Sequence, residues 1–171
     1  SVQRAIVKRA NTAFLAQPAP EEPLLTPPEG IITQATVLAE APITKDLDPL
    51  ADVIGTLEAN GADPRLIVAH PAAWSALRKL KTGQEANTAL LGAGTEDADK
   101  RLLGIRVLTS PAVPEGTLAV IDPGAVAAAV GRIRIAQSDQ VFFTSDRFAL
   151  RATWRIGWKV AHPERMAVIT V

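Results

Sequence analysis

Apolar and charged residues alternate almost without a slip from position 147 to 160, which reads Arg-Phe-Ala-Leu-Arg-Ala-Thr-Trp-Arg-Ile-Gly-Trp-Lys-Val. Successive side chains of a strand point to opposite faces. The pattern therefore predicts a strand with Phe148, Leu150, Trp154, Ile156, Trp158 and Val160 on one side and Arg147, Arg151, Arg155 and Lys159 on the other. At about 3.3 Å per residue such a strand runs about 45 Å, more than twice the usual length. It either crosses a large sheet or projects as a ribbon, and a projecting ribbon normally serves to touch another molecule. Residues 132–135, Arg-Ile-Arg-Ile, are its expected partner.

Elsewhere the apolar spacing is helical. Val2, Ile6, Ala10 and Phe14 mark a helix over residues 2–16, with the look of the last turns of a longer one. Five prolines between positions 17 and 30 end it and predict a surface crossing. Residues 30–38 are β-branched and apolar, which predicts a short strand. Asp46 or Asp48 is placed to cap a helix that Pro49 starts and Gly61 stops, with Leu50, Val53, Ile54 and Leu57 as its buried stripe. A buried strand over residues 65–70 and a helix from Pro71, with Trp74, Leu77 and Leu80 inward, come next. A polar loop, residues 82–100, holds Glu96, Asp97 and Asp99 and includes a brief helical turn at 87–91. Residues 102–109 and 117–121 read as two strands joined by a proline turn, Asp122-Pro123-Gly124 turns the chain again, and residues 166–171 form a last strand. Helices collected in the first half and strands in the second make the chain α+β.

Composition narrows the function. A chain of 171 residues holds one well-buried core, or one body with a small lobe. Formal net charge is zero, but residues 1–130 carry 11 basic and 15 acidic side chains against 7 and 3 in residues 131–171. That polarity suits head-to-tail contact between copies at least as well as nucleic-acid binding. Without cysteine, neither a disulfide framework nor a thiolate metal site is available, and a cytoplasmic setting is the natural expectation. No apolar run is long enough to span a bilayer. The chain opens on Ser1 inside a helical pattern and without a methionine, so a fragment or processed product is expected.

Candidate chemistry is sparse. His70 and His162 each precede a proline, where the chain is extended, and neither is expected to have a nearby carboxylate partner in sequence. No nucleophile elbow, phosphate-binding lysine loop or metalloprotease helix is present, and Gly92-Ala-Gly94 lacks the third glycine of a dinucleotide loop. No catalytic residue, cofactor or metal is therefore assigned. Asp46 and Asp48 are spaced as helix caps and supply too few oxygens for a hard-metal cage. Trp154 and Trp158 fall on the apolar face with Phe148 and are expected in the core. Most basic strand faces are simply solvated. Here the length of the ribbon favours contact between subunits through Arg132, Arg134, Arg147, Arg151, Arg155 and Lys159, because arginine pairs bidentately with carboxylates. DNA binding ranks third, since no aromatic residue on the basic side could stack bases. Glu96, Asp97 and Asp99 are a solvated loop or, on the functional reading, a subunit contact.

In their order, several segments resemble the C-terminal portion of the major capsid proteins of tailed double-stranded DNA bacteriophages, the Hong Kong ninety-seven-type fold. They are Pro-Glu-Gly-Ile-Ile at 28–32, Asp-Leu-Asp-Pro-Leu at 46–50, His-Pro-Ala-Ala-Trp-Ser-Ala-Leu-Arg-Lys-Leu-Lys at 70–81 and Leu-Leu-Gly-Ile-Arg-Val-Leu-Thr-Ser-Pro at 102–111. Gly-Arg-Ile-Arg-Ile at 131–135, Asp-Arg-Phe-Ala-Leu-Arg at 146–151 and His-Pro-Glu-Arg-Met-Ala at 162–167 complete the set. The resemblance implies an α+β fold with an axial domain, a mixed sheet with flanking helices, in residues 38–124, joined by a final strand in 163–171. It implies a peripheral domain comprising the end of a spine helix and the proline crossing, 1–37, and a β-ribbon, 125–162, that meets neighbours around local threefold axes. The family's N-terminal arm, extended hairpin loop and most of its spine helix have no counterpart. Some relatives form lysine-to-asparagine crosslinks, but no asparagine follows Asn87, so no crosslinking residue is carried over.

The implied function is structural and not enzymatic: a phage or prophage shell subunit, located in the virion capsid and in host cytoplasm during assembly. Its implied partners are copies of itself in hexamers and pentamers, with portal, scaffold or protease proteins as further candidates. Packaged DNA would be held by weak non-specific contact, and no membrane is involved. An encapsulin-type compartment shell is the alternative within the fold, and a small binding or catalytic domain with a cleft near His70 is the alternative outside it. On the phage-shell reading, Glu96, Asp97 and Asp99 would lie around the capsomer axis.

Overall fold

The computed structural model describes every residue except 1, 25, 82–89, 92–99 and 139–147. Helix α1, Val2–Ala16, runs to the start of the proline crossing as its period predicts. The crossing then returns to the helix end. Gly30 N–H donates to the Gln17 carbonyl at 2.8 Å, Ile31 N–H to Phe14 at 2.8 Å and Ile32 N–H to Leu15 at 3.1 Å. These bonds satisfy carbonyls that a helix C-terminus leaves without partners. They also correct the expected strand at 30–38: with those donors committed to α1, only Val37–Leu38 pairs as strand β1. Ile31 and Ile32 are buried, so their apolar character serves the core instead of a ladder.

Helix α2, Asp48–Ala59, has Pro49 in its first turn and ends at Gly61, whose φ of +76° suits glycine. Leu50, Val53 and Leu57 are buried, with Ile54 partly so. The expected cap differs: Leu47 occupies the cap position without a side-chain bond, Asp48 lies inside the first turn, and Asp46 Oδ1 accepts the Asp48 N–H at 3.3 Å. Asp48 still opposes the positive end of the helix dipole. Strand β2, Leu66–Ala69, leads into α3, Pro71–Arg78. His70 Nδ1 accepts the Ala72 N–H at 3.2 Å and so caps α3.

Where one strand was expected at 102–109 there is a hairpin, β3 (Arg101–Leu102) and β4 (Ile105–Thr109). Leu103 at φ +47° and Gly104 at φ +80° make the reversal. Two consecutive positive φ values are what a tight two-residue hairpin turn requires, and leucine conceals the signal at the first position. Strand β5, Thr117–Ile121, and strand β10, Met166–Thr170, complete a six-stranded mixed sheet in the order β1-β10-β5-β2-β4-β3.

Both faces of this sheet are covered, as the alternation along its strands shows. Ile67, Leu118, Val120 and Ile169 join Leu50, Leu57 and Leu77 from α2 and α3. Val68, Ala119, Ile121 and Met166 join Leu15, Ile31, Ile32, Ala125 and Val160 on the other side. The second cluster is where the ribbon meets the body.

Candidate interaction surface on the ribbon

Two strand pairs, end to end, make the ribbon: β6 (Val126–Val130) with β9 (Ile156–Val160), and β7 (Arg134–Ser138) with β8 (Ala149–Thr153). The uninterrupted strand expected over 147–160 is thus broken at Trp154 and Arg155. Val130 lies opposite Ile156 and Arg134 opposite Thr153, so three residues on one side face two on the other. This is the geometry of a β-bulge, which bends a strand and re-aims its side chains. Gly131 N–H donates to the Arg155 carbonyl at 2.9 Å, and Trp154 Nε1 donates to the Gly131 carbonyl at 2.8 Å. A Cβ at Gly131 would stand 2.9 Å from that Arg155 oxygen, so glycine permits the close approach.

The ribbon's root is tied to the body. Ala161 and His162 N–H both donate to the Ala125 carbonyl, at 2.8 and 3.3 Å. Asp122, a buried acid that the sequence marks only as a turn residue, accepts from Gly124 N–H at 2.8 Å and Asp63 N–H at 3.2 Å. Trp158 Nε1 donates to the Glu29 carbonyl at 2.7 Å, and the Trp158 ring meets Phe14 edge-on with centroids 5.3 Å apart. Val160 is buried beside them.

Packing on the body stops there. Phe148 is 59% exposed, Leu150 49%, Ile135 67% and Val130 68%. The expectation that Phe148 shares a core with both tryptophans is therefore corrected: only the inner half of the apolar face packs on the body, and Trp154 is held within the ribbon. The bulge redirects the outer half, away from the core.

On the basic side, Arg132, Arg134, Arg151 and Arg155 line a cleft of about 840 Å³ together with Ile133 and Ile135. All four arginines are exposed. Lys159 is absent from this lining and lies opposite Ala127 on the inner segment. Arg147 and the cluster Glu96, Asp97 and Asp99 fall outside the described residues, as does most of the helical turn expected at 87–91. Among the described residues the ion pairs are Asp63 with Arg65 and His162 with Glu164, and none involves a cleft arginine. The Arg65 guanidinium hydrogen-bonded to Asp63 holds that carboxyl below its ordinary range. Glu164 is likewise held low, first by its own backbone N–H and then by His162 and Arg165.

His70 does not line this cleft, and its Nδ1 is engaged at the α3 cap. Neither the ribbon cleft nor a second cleft of about 680 Å³, between α1 and residues 110–112, touches it. Among the described residues, no group of three or more His, Cys, Asp or Glu could hold a metal ion.

Comparison with known proteins places this arrangement. The family model described as "Phage capsid family" matches residues 4–171. No curated protein matches the chain. Among solved structures, one titled for Microbacterium phage Oxtober96 is similar with a TM-score of 0.76 at 16% identity, covering 99% of this chain and 62% of that one. One titled for Gordonia phage Cozz gives 0.75 at 17% identity, covering 98% and 60%. The capsid of an empty GTA particle gives 0.70 at 19% identity, covering 99% and 64%. The chain thus spans 60–64% of the length of these structures.

Proposed function

We propose that this chain, which belongs to the phage capsid family, works as a structural subunit of an icosahedral shell that encloses genomic DNA. The observation that carries the reading is the family match across residues 4–171, joined to a shared fold over nearly the whole chain. The fold is α+β of the phage major-capsid type. Neighbours titled for phages favour a phage shell over an encapsulin-type compartment.

In this reading, residues 38–124 and 163–171 form the axial domain, supported by the one six-stranded sheet that they build with Val37. Residues 1–37 and 125–162 form the peripheral domain, supported by the contact of Phe14 with Trp158 and the bond from Trp158 to Glu29. The subunit's work is mechanical and it has no catalysis of its own: identical interfaces repeat until the symmetry closes. Its partners are other copies in hexamers and pentamers, with portal, scaffold or protease proteins in the assembly and packaged DNA inside under weak contact. The basic ribbon residues Arg132, Arg134, Arg147, Arg151, Arg155 and Lys159 face neighbouring subunits, as do Glu96, Asp97 and Asp99 around the capsomer axis.

Electron microscopy of the gene product, expressed alone and with its neighbouring genes, tests the reading. Shells or capsomers are expected, and persistent monomers under assembly conditions would overturn it. The double substitution Arg151→Glu with Arg155→Glu should abolish those particles while leaving the subunit's circular dichroism and urea midpoint unchanged.

A further inference from the structure

Helix α1 carries charge of one sign only. Residues 2–16 hold three basic side chains, Arg4, Lys8 and Arg9, and no acidic one, whereas residues 17–130 hold 8 basic and 15 acidic. Arg4 and Lys8 stand four positions apart, the helical spacing at which like charges oppose one another and weaken the helix. Both are exposed, and no ion pair among the described residues relieves them. An anion arriving from outside would.

The same two cations line the cleft of about 680 Å³ between α1 and residues 110–112. Gln3 and Asn11 share their face of the helix, and Ser110 lies on the opposite wall. Ser110 Oγ accepts the Ala112 N–H at 3.2 Å, which leaves its own O–H to donate. The Thr12 hydroxyl is already committed to the Lys8 carbonyl at 3.0 Å. No acidic side chain lines the cleft, and Val7 is the one apolar side chain on its α1 wall.

This lining states the chemistry of the ligand. A carboxylate is satisfied by one arginine fork, but here a fork, a lysine point charge, two side-chain amides and a hydroxyl converge. That mixture is the one that holds the phosphate oxygens of a nucleic-acid backbone. A duplex presents its phosphates with the bases stacked inside, so the cleft needs no aromatic side chain, and without base contacts its grip is blind to sequence.

Resting on the shell reading above, which brings genomic DNA to the protein, we infer that the cleft between α1 and residues 110–112 binds phosphates of the duplex DNA backbone. Arg4 and Lys8 neutralise two phosphates, while Gln3, Asn11 and Ser110 donate to their oxygens. Two such contacts hold weakly in one chain. Repetition over the copies of a shell multiplies them.

The test titrates nitrogen-15-labelled chain with short duplexes of two unrelated sequences and follows the amide shifts by NMR. Shifts at residues 3–12 and 110–112 are expected, with the same affinity for both sequences. With two phosphates neutralised, affinity should fall about 60-fold for a tenfold rise in salt, and Lys8→Gln should flatten the logarithmic slope by about 0.9. Arg4→Gln combined with Lys8→Gln should remove the shifts at 110–112 and leave circular dichroism unchanged, since both positions are exposed. Unchanged affinity in that double variant would overturn the inference. So would equal or larger shifts from inorganic phosphate, which would make this a free-anion site, or from polyglutamate, which would make it a protein contact. Electron microscopy separates the two readings: particles without binding at this cleft sink the cleft alone, and binding without particles sinks the shell alone.

Discussion

Replacing Gly30, which is buried at the end of the proline crossing, with alanine should cost much of the molecule's stability. A Cβ there would stand 2.5 Å from the Gln17 nitrogen, 2.7 Å from the Ala16 nitrogen and 2.8 Å from the Leu15 carbonyl carbon. All three are backbone atoms, so no side chain can turn aside, and residues 30–32 must withdraw from the end of α1. Withdrawal stretches the three bonds to Gln17, Phe14 and Leu15. At about 1 kcal/mol net for each, the loss is about 3 kcal/mol. Set against a total stability of about 5–15 kcal/mol for a domain, this is a large fraction. Gly55 provides the control. It lies inside α2 with nothing within 4 Å of its added Cβ, so alanine there should raise stability by about 0.5–1 kcal/mol through helix propensity. Urea unfolding followed by circular dichroism measures both. A Gly30→Ala variant within about 1 kcal/mol of the parent would refute the claim that these three bonds hold the crossing to α1.

Leu103→Asn should stabilise the protein by about 0.5–1 kcal/mol, because asparagine tolerates the left-handed conformation that leucine occupies at φ +47°; an unchanged or lower urea midpoint would count against a strained turn. Trp158→Phe keeps an aromatic ring beside Phe14 but leaves the Glu29 carbonyl without its donor, at a cost of about 1–3 kcal/mol, read in the same assay. For the exposed pair, Arg65→Gln should let the Asp63 carboxyl rise back toward its ordinary value, visible in an NMR pH titration. Because Asp63 is held low in the folded state, its contribution to stability is present above the unfolded pKa and disappears as pH falls through the folded one. The variant should therefore lose acid sensitivity only in that low-pH window.

The parts of the fold legible in the sequence are those set by local rules. Pro49 and Gly61 bracket α2, Pro71 opens α3, and the prolines after Ala16 stop α1. The parts that were hidden depend on partners distant in sequence. Residues 30–32 have strand composition, but their donors go to a helix end. Leu103 gives no warning of a turn, and the period-2 pattern of 147–160 continues through a break whose cause, the extra residue at 131–133, sits on the opposite strand. The ribbon cleft was largely visible: alternation identified Arg132, Arg134, Arg151 and Arg155 as basic residues of the ribbon, but Lys159, expected with them, stays out of the lining because it lies on the inner segment opposite Ala127. The expectation that His162 lacks a nearby carboxylate is corrected: it pairs with Glu164, two positions away, at 3.0 Å, brought together by a short 3-10 turn.

The place of β10 governs when this body can fold. It is inserted between β1 and β5, with Val37 and Leu38 on one side and residues 117–121 on the other. During translation β1, β2, β4 and β5 all emerge before it, and β1 has no sheet to join until it arrives. Pairing between segments so distant in sequence is also slow, since the intervening chain must be ordered first. The sheet therefore closes only after residue 170 has been made. Until then β5 presents residues 117–121 as an open edge, and β1 stays outside the sheet.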